Sequence, residues 1–447
     1  MTILDAINHP NRFLLLRSIL SVIYKHLRFF EELLNSLSVA VLLLVIMYFW
    51  SNLPLNFIME ETFTKFTVKV ADKLDRRSSA PYGMDDVMFI NVSHSSAIVD
   101  DPEGTHVIAD RRKLDTLMQV LHRYSSPEQI IVCDLYFDIP SANDYKLQSS
   151  MSQLPNLLSA VKTNWYGEIT PNILRAGTSG TTGFRPPRVP FMIFSNSMVK
   201  FHLTDHNCVK TIPVQMYERV NKQKASCLGD ALQIGGDWFF NTILINEELS
   251  RGIPKAVYED QVVTIQNVIN GVRENNEEYV SHLKKSKFIM IGSYDTDIHH
   301  TTFGDKPGTM ILFDIFLSLQ QKENAITAGW LLLTVTFLTM LIYNRYYHFN
   351  FLKKYMIWLD ERTTVLGFKA LPAIDWILFY LMILCSAVFF HVYLEAVAGI
   401  FFLAVFAWTR IYMKARYVKL QQFKRSGRRW SARALFSFLF IKPGFKN

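Results

Sequence analysis

The residues best suited to chemistry fall in two short runs. KFIMIGSYDTDIHHTTFGDKPG (287–308) sets Asp295, Asp297, His299, His300 and Asp305 directly after an apolar run ending at Gly292. QIIVCDLYFDIPSAND (129–144) sets Asp134, Asp138 and Asp144 at and beyond the end of a second apolar run. Carboxylates and imidazoles together are ligands for divalent metals, so a metal or small-ligand site is one reading of this set. If the two runs are parallel neighbours in a sheet, both loops leave the same edge, where open α/β sheets usually bind their ligands. The same residue types also cap turns and helices, and imidazoles titrate near neutral pH. No organic cofactor is expected.

Other clusters carry less. TSGTTGFRPPR (178–188) offers Arg185 and Arg188 to an anion, but lacks the GxxxxGK[ST] spacing that cradles phosphate. Ser93 and Ser95 flank His94 without a nucleophile elbow. DHNC (205–208) is too short for a metal site, and kinase motifs are absent. The chain is therefore not expected to be an enzyme. Cys133, Cys208, Cys227 and Cys385 show no ligand spacing, so neither a zinc module nor a disulfide framework is expected.

The elements that must position these residues are strongly apolar. The chain has 447 residues, 50% hydrophobic and 19% charged, and its apolar residues cluster in four places, a pattern of membrane proteins. Residues 1–32 read as a basic amphipathic leader, and 33–53 as a first transmembrane helix. Basic residues before this span and acidic ones after it place the N-terminus in the cytoplasm. Residues 55–324 then form an extracytoplasmic α/β domain with a mainly parallel sheet, because short apolar runs alternate with helical patterns. Strands are expected at 85–92, 129–137, 191–196, 238–246 and 287–292, and helices at 56–80, 111–124, 154–161 and 308–320. Segment 162–240 is rich in Gly, Pro, Thr and Asn and gives no clear pattern. Further spans are expected at 325–343, 376–392 and 396–412, making four transmembrane helices, one before the domain and three after it. A basic cytoplasmic loop (344–373) and a basic tail (413–447) complete the chain.

The tail contains Arg416, Lys419, Lys424, Arg425, Arg428, Arg429 and Arg433 and no acid. Basic residues beside a span fix topology and hold anionic lipid heads. They also suit an acidic partner protein, whereas no motif supports nucleic-acid binding.

The order of elements resembles that of bacterial receptors with a CHASE2 sensor domain. Three segments carry the resemblance: DVMFINVSHSSAIVDD (86–101), QIIVCDLYFDIPSANDYKL (129–147) and KFIMIGSYDTDIHHTTFGDKPGTMILFDIFLSL (287–319). Ser93 and His94 stand where that family usually has an acidic turn. The resemblance implies a multi-pass protein of the bacterial inner membrane with both termini cytoplasmic. It also implies an output enzyme, but the 35 residues after Tyr412 are too few for one.

The expected function is therefore a sensor-like membrane component that binds a ligand or protein and relays it to a separate cytoplasmic or membrane effector, with self-association open. A structural subunit of a membrane complex is the first alternative, which predicts a filled domain and a constant interface. A channel or transporter subunit is the second, which needs polar residues inside the spans.

Overall fold

The computed structural model describes residues 10–51, 58–74, 82, 84–101, 104–161, 174, 179–181, 200–204, 208–228, 231–245, 261–301, 303–347 and 370–394. In chain order these contain α1 (Pro10–Ser51), α2 (Ile58–Leu74), β1 (Val87–Asn91), β2 (Ser96–Asp101), β3 (Gly104–Ala109), α3 (Arg111–Tyr124), β4 (Ile130–Asp134), α4 (Asp144–Ser152), β5 (Leu157–Val161) and β6 (Ser179–Thr181). They continue with β7 (Lys200–His202), α5 (Ile212–Asn221), β8 (Ala225–Leu228), β9 (Ala231–Ile234), β10 (Asp237–Phe240), β11 (Thr242–Leu244), β12 (Val262–Thr264), α6 (Ile265–Arg273) and α7 (Glu277–Lys285). The last are β13 (Phe288–Gly292), β14 (Ile298–Thr301), β15 (Gly304–Pro307), α8 (Gly308–Gln320), α9 (Ala328–Tyr347) and α10 (Ala370–Phe390). The chain divides into two compact units, one of residues 1–47, 338–380 and 395–447, the other of residues 48–337 and 381–394.

The second unit is built on a six-stranded parallel sheet in the order β12-β1-β13-β4-β5-β6. Its central strands VMFIN, IIVCD and FIMIG are buried along their whole length, as continuous apolar strands covered on both faces must be. Alternate residues serve opposite faces. Val87, Phe89, Ile130, Val132, Phe288 and Met290 pack with α5 and α8. Met88, Ile90, Ile131, Cys133, Ile289 and Ile291 pack with α3, α4, α6 and α7.

Local chemistry sets the helix limits. The Asp110 carboxylate accepts from the Arg112 amide (3.0 Å) at the start of α3, whose Leu114, Leu117, Met118 and Leu121 form one buried stripe. Thr264 and Asn276 cap α6 and α7 in the same way.

The sheet is not the only one, so the fold is mixed rather than mainly parallel. Antiparallel strands form a three-stranded sheet (β10-β9-β8) and three pairs (β11-β7, β14-β15, β2-β3). Residues 154–161, expected to open a helix, form β5 instead. A short, fully buried apolar run has no periodicity to distinguish strand from helix. The expected strand at 238–246 is two strands, β10 and β11, and that at 191–196 lies outside the described residues.

The four-span expectation is overturned. Among the described residues one helix is long and apolar enough to cross a membrane, Ser21–Trp50, with mean hydropathy 2.2. It belongs to the continuous helix α1, so no break separates a leader at residue 32 from a span at 33. The stretches read as second and third spans lie in α9 and α10, whose apolar segments Ala328–Tyr343 and Leu378–Phe390, of 10–17 residues, are shorter than the roughly 20 a bilayer core requires. Their apolar surface is also used internally. Within the second unit Trp330 Nε1 donates to Ser386 Oγ at 2.8 Å, and a Cβ on Gly329 would lie 3.0 Å from the Phe390 ring. The expected fourth span, the loop 344–373 beyond Tyr347 up to residue 369, and the tail lie outside the described residues. The multi-pass inner-membrane topology with both termini cytoplasmic is therefore not supported, and the one-then-three arrangement behind the CHASE2 resemblance is not found among the described residues.

Cys208 and Cys227 form a disulfide with Cα atoms 6.0 Å apart, where none was expected. The pairing comes from the tertiary approach of β8 to the segment before α5, which spacing alone does not show. Cys133 and Cys385 are free.

Candidate functional site

Asn91, Gly292 and Asp134 end three adjacent strands at one level of the carboxyl edge, since Asn91 pairs with Gly292 and Gly292 with Asp134. The connections then part. The chain leaves β1 and β4 for α3 and α4 on one face, and leaves β13 for α8 on the other. Neighbouring connections that leave in opposite directions mark the place where open α/β sheets form a ligand crevice.

Its deepest group is Asp134, 6% exposed, whose Oδ2 accepts from Thr309 Oγ1 at 3.0 Å. Burial pushes this carboxyl up to about 7, and the nearby Asp297 charge adds to the rise. The Thr309 hydrogen bond and His299 oppose it. Asp297 Oδ1 lies 3.1 Å from His299 Nε2. Tyr294, also buried, donates to the Met290 carbonyl at 3.2 Å, and burial raises its phenol well above the usual range.

Nearer the surface, Asn91 Nδ2 donates to Asp295 Oδ2 at 2.8 Å, and His94 Nε2 lies 3.1 Å from the same oxygen. The Asn91 side-chain oxygen accepts from the amides of Ser93 (2.8 Å) and Tyr294 (3.3 Å), tying the loops after β1 and β13 together. Ser93 Oγ shares a hydrogen bond with Ser293 Oγ at 2.9 Å and accepts from the Asp295 amide at 3.0 Å. Two glycines permit this packing. A Cβ on Gly292 would meet Thr309 Oγ1 at 1.8 Å, and one on Gly308 would meet Asp297 Oδ2 at 2.3 Å.

The structure thus gathers Asp134, Asp295, Asp297 and His299 around one crevice, together with His94. It does not gather the rest of the expected set. Asp144 pairs with buried Arg111 (3.3 Å) and accepts from the Ser141 amide (2.6 Å). The Arg111 guanidinium also stacks 4.4 Å from the Phe137 ring, and burial lowers its pKa despite Asp144. Asp138 is exposed on the loop after β4. His300 Nδ1 and Asp305 Oδ1 meet at 2.5 Å on the exposed β14–β15 hairpin. Arg185, Arg188 and the basic residues of the tail lie outside the described residues. Among the described residues no group of three or more His, Cys, Asp and Glu is arranged to hold a metal ion. Each histidine at the crevice instead meets its own carboxylate.

Sequence reasoning missed Asn91 and Thr309, which organise the crevice. Their signal was position: a polar residue closing a buried apolar strand, and a hydroxyl following a Pro-Gly pair. It also missed a pair beneath the hairpin, Lys306 Nζ and Asp314 Oδ2 at 2.9 Å, with side chains 6% and 2% exposed.

The far end of α8 is equally tied down. Its 13 residues span about 20 Å, and all but the last are buried. The turn that follows is anchored through Asn324. Asn324 N donates to the His391 carbonyl (2.9 Å), its Nδ2 donates to the Thr242 carbonyl (3.3 Å), and its Oδ1 accepts from the Tyr393 amide (2.9 Å). Ile326 N donates to the Trp238 carbonyl at 2.6 Å, and α9 begins two residues later.

No protein family matches the chain, and neither curated proteins nor solved structures provide a match. The CHASE2 resemblance therefore has no support from these comparisons either.

Proposed function

We propose that the chain is a membrane-tethered, ligand-responsive component without a catalytic step of its own. In this reading α1 tethers it, the crevice at the carboxyl edge takes the ligand or partner, and α8 carries the response to the start of α9. A separate effector receives it. One observation carries the reading: α8 runs buried from Thr309, bonded to Asp134 in the crevice, to the Asn324 turn that holds the root of α9.

A ligand shifts such an arrangement only through different affinity for its two states. Protonation of Asp134 is the simplest available ligand. Its folded pKa of about 7 places the change at neutral pH. The test is amide hydrogen exchange of the intact protein in detergent at pH 6 and pH 8, read over residues 321–331. The expected result is a pH-dependent difference, beyond the intrinsic exchange rate, that Asp134→Asn abolishes. Identical protection in both proteins at both pH values would remove the relay and leave a non-switching structural subunit as the better reading.

A further inference from the structure

The opposite edge of the sheet holds a second site of different chemistry. A cleft of about 810 Å³ opens where β4, β5 and β13 begin, between the ends of α5 and α7. Arg219, Lys222, Lys284, Lys285 and Lys287 line it, against a single carboxylate, Glu128. Lys287 is balanced by Asp86 at 2.9 Å. Among the described residues no carboxylate pairs with the other four cations.

Helix ends account for part of this charge, since lysines in a last turn complement the carbonyl end of a helix. That explains Lys284 and Lys285 on α7. Arg219 also stands in the last turn of its helix, α5, but it is less exposed than the two lysines. This side chain is half-buried and donates from Nη1 to the Asn156 carbonyl at 2.6 Å. Burial alone lowers its pKa, with no acid to compensate. A desolvated guanidinium held only by a neutral carbonyl keeps unused donors in a fixed fork, the geometry that suits phosphate oxygens. Lys222, in the left-handed conformation at φ 53°, ends α5 at the same cleft. A concave wall of one charge sign focuses its field on a counter-ion. The Tyr82 ring closes one side of the cleft and is held there by Phe316, stacked on it at 5.9 Å, by Phe288, edge-on at 5.0 Å, and by Lys287 Nζ at 5.1 Å. The volume lies within the usual range for small organic ligands, about 300–1,000 Å³.

We propose that this cleft binds a small phosphate compound carrying two or more anionic groups, with Arg219, Lys222 and Lys285 on the phosphates. The test is calorimetric titration of the full-length protein in detergent at low ionic strength. Pyrophosphate and tripolyphosphate are the probes. Saturable binding is expected, tighter for tripolyphosphate and weakened by salt. The surface double variant Lys222→Asn/Lys285→Gln, chosen because asparagine tolerates the left-handed conformation at 222, is expected to bind about tenfold or more weakly while unfolding at an unchanged temperature. Absence of saturable binding, or equal binding by the double variant, would overturn the proposal. So would an oligonucleotide or anionic vesicle that displaces tripolyphosphate at far lower concentration, which would assign the cleft to a macromolecular surface.

Discussion

At the carboxyl edge of the six-stranded sheet, charge is answered, both where it is buried, as at Asp134 and Lys306, and nearer the surface, as at Asp295 and Asp297. Asp134 has Thr309, Asp295 has Asn91 and His94, Asp297 has His299, and Lys306 has Asp314. At the amino edge, charge is presented and largely unanswered, with Lys222, Lys284 and Lys285 exposed and Arg219 half-buried beside a carbonyl. The same sheet therefore meets two kinds of electrostatics. Removing a charge should matter for stability at the first edge and for binding at the second.

The largest effect is expected from the Lys306–Asp314 pair. Lys306→Met removes the cation from beside a carboxylate that is 2% exposed, at a cost of about 3–5 kcal/mol. Adding Asp314→Leu should recover most of it, because two apolar residues need no solvation. Denaturant unfolding measures both, and a single variant within error of the wild type would break the contrast between the edges.

Asp134 should act next, with a pH signature. Its pKa is raised in the folded state to about 7, so folding takes up a proton between the unfolded value near 4 and that point. Stability from this group is complete below about pH 4 and is lost as pH rises through about 7. Asp134→Asn keeps an oxygen for Thr309 and carries no charge. It should stabilise the protein at pH 8, by up to about 4 kcal/mol, and change little at low pH. Thermal unfolding across pH reads this directly, and a destabilised variant at pH 8 would contradict it.

The smallest effect belongs to the amino edge. Lys222→Asn/Lys285→Gln should change stability by no more than about 0.5 kcal/mol, the ordinary range for exposed positions. A larger loss would show that these cations hold the fold rather than await an anion.

What the sequence made legible follows from burial. Apolar runs such as FIMIG, and the helical stripe Leu114, Leu117, Met118 and Leu121, declare themselves through composition and period. So did the closing helix 308–320, whose limits match α8. The second and third spans were misread because apolar residues that pack on protein, such as Trp330 and Phe379, and ones that face lipid share a composition. The role of Ser386 as a partner for Trp330 is visible only in three dimensions. The site was half legible for a similar reason. Asp134 and Asp297 stood out by type, but only the β4–β13 register brings their loops together. Asp144 looks the same in sequence and is spent on Arg111. The basic cleft was hidden because its residues come from 219–222 and 284–287, two unremarkable charged stretches that fold to one edge.

The measurement closest to the central claim is the ionisation of Asp134 itself. Infrared difference spectroscopy of the wild type against Asp134→Asn, from about pH 5 to about pH 9, isolates this carboxyl among the others. The expected spectrum shows a protonated carboxylic acid at the acid end that disappears with a midpoint near 7, the value to which burial and Asp297 raise it. A carboxylate already ionised at pH 5 would contradict the account, because the crevice would then hold a solvated charge and no group poised to respond at neutral pH.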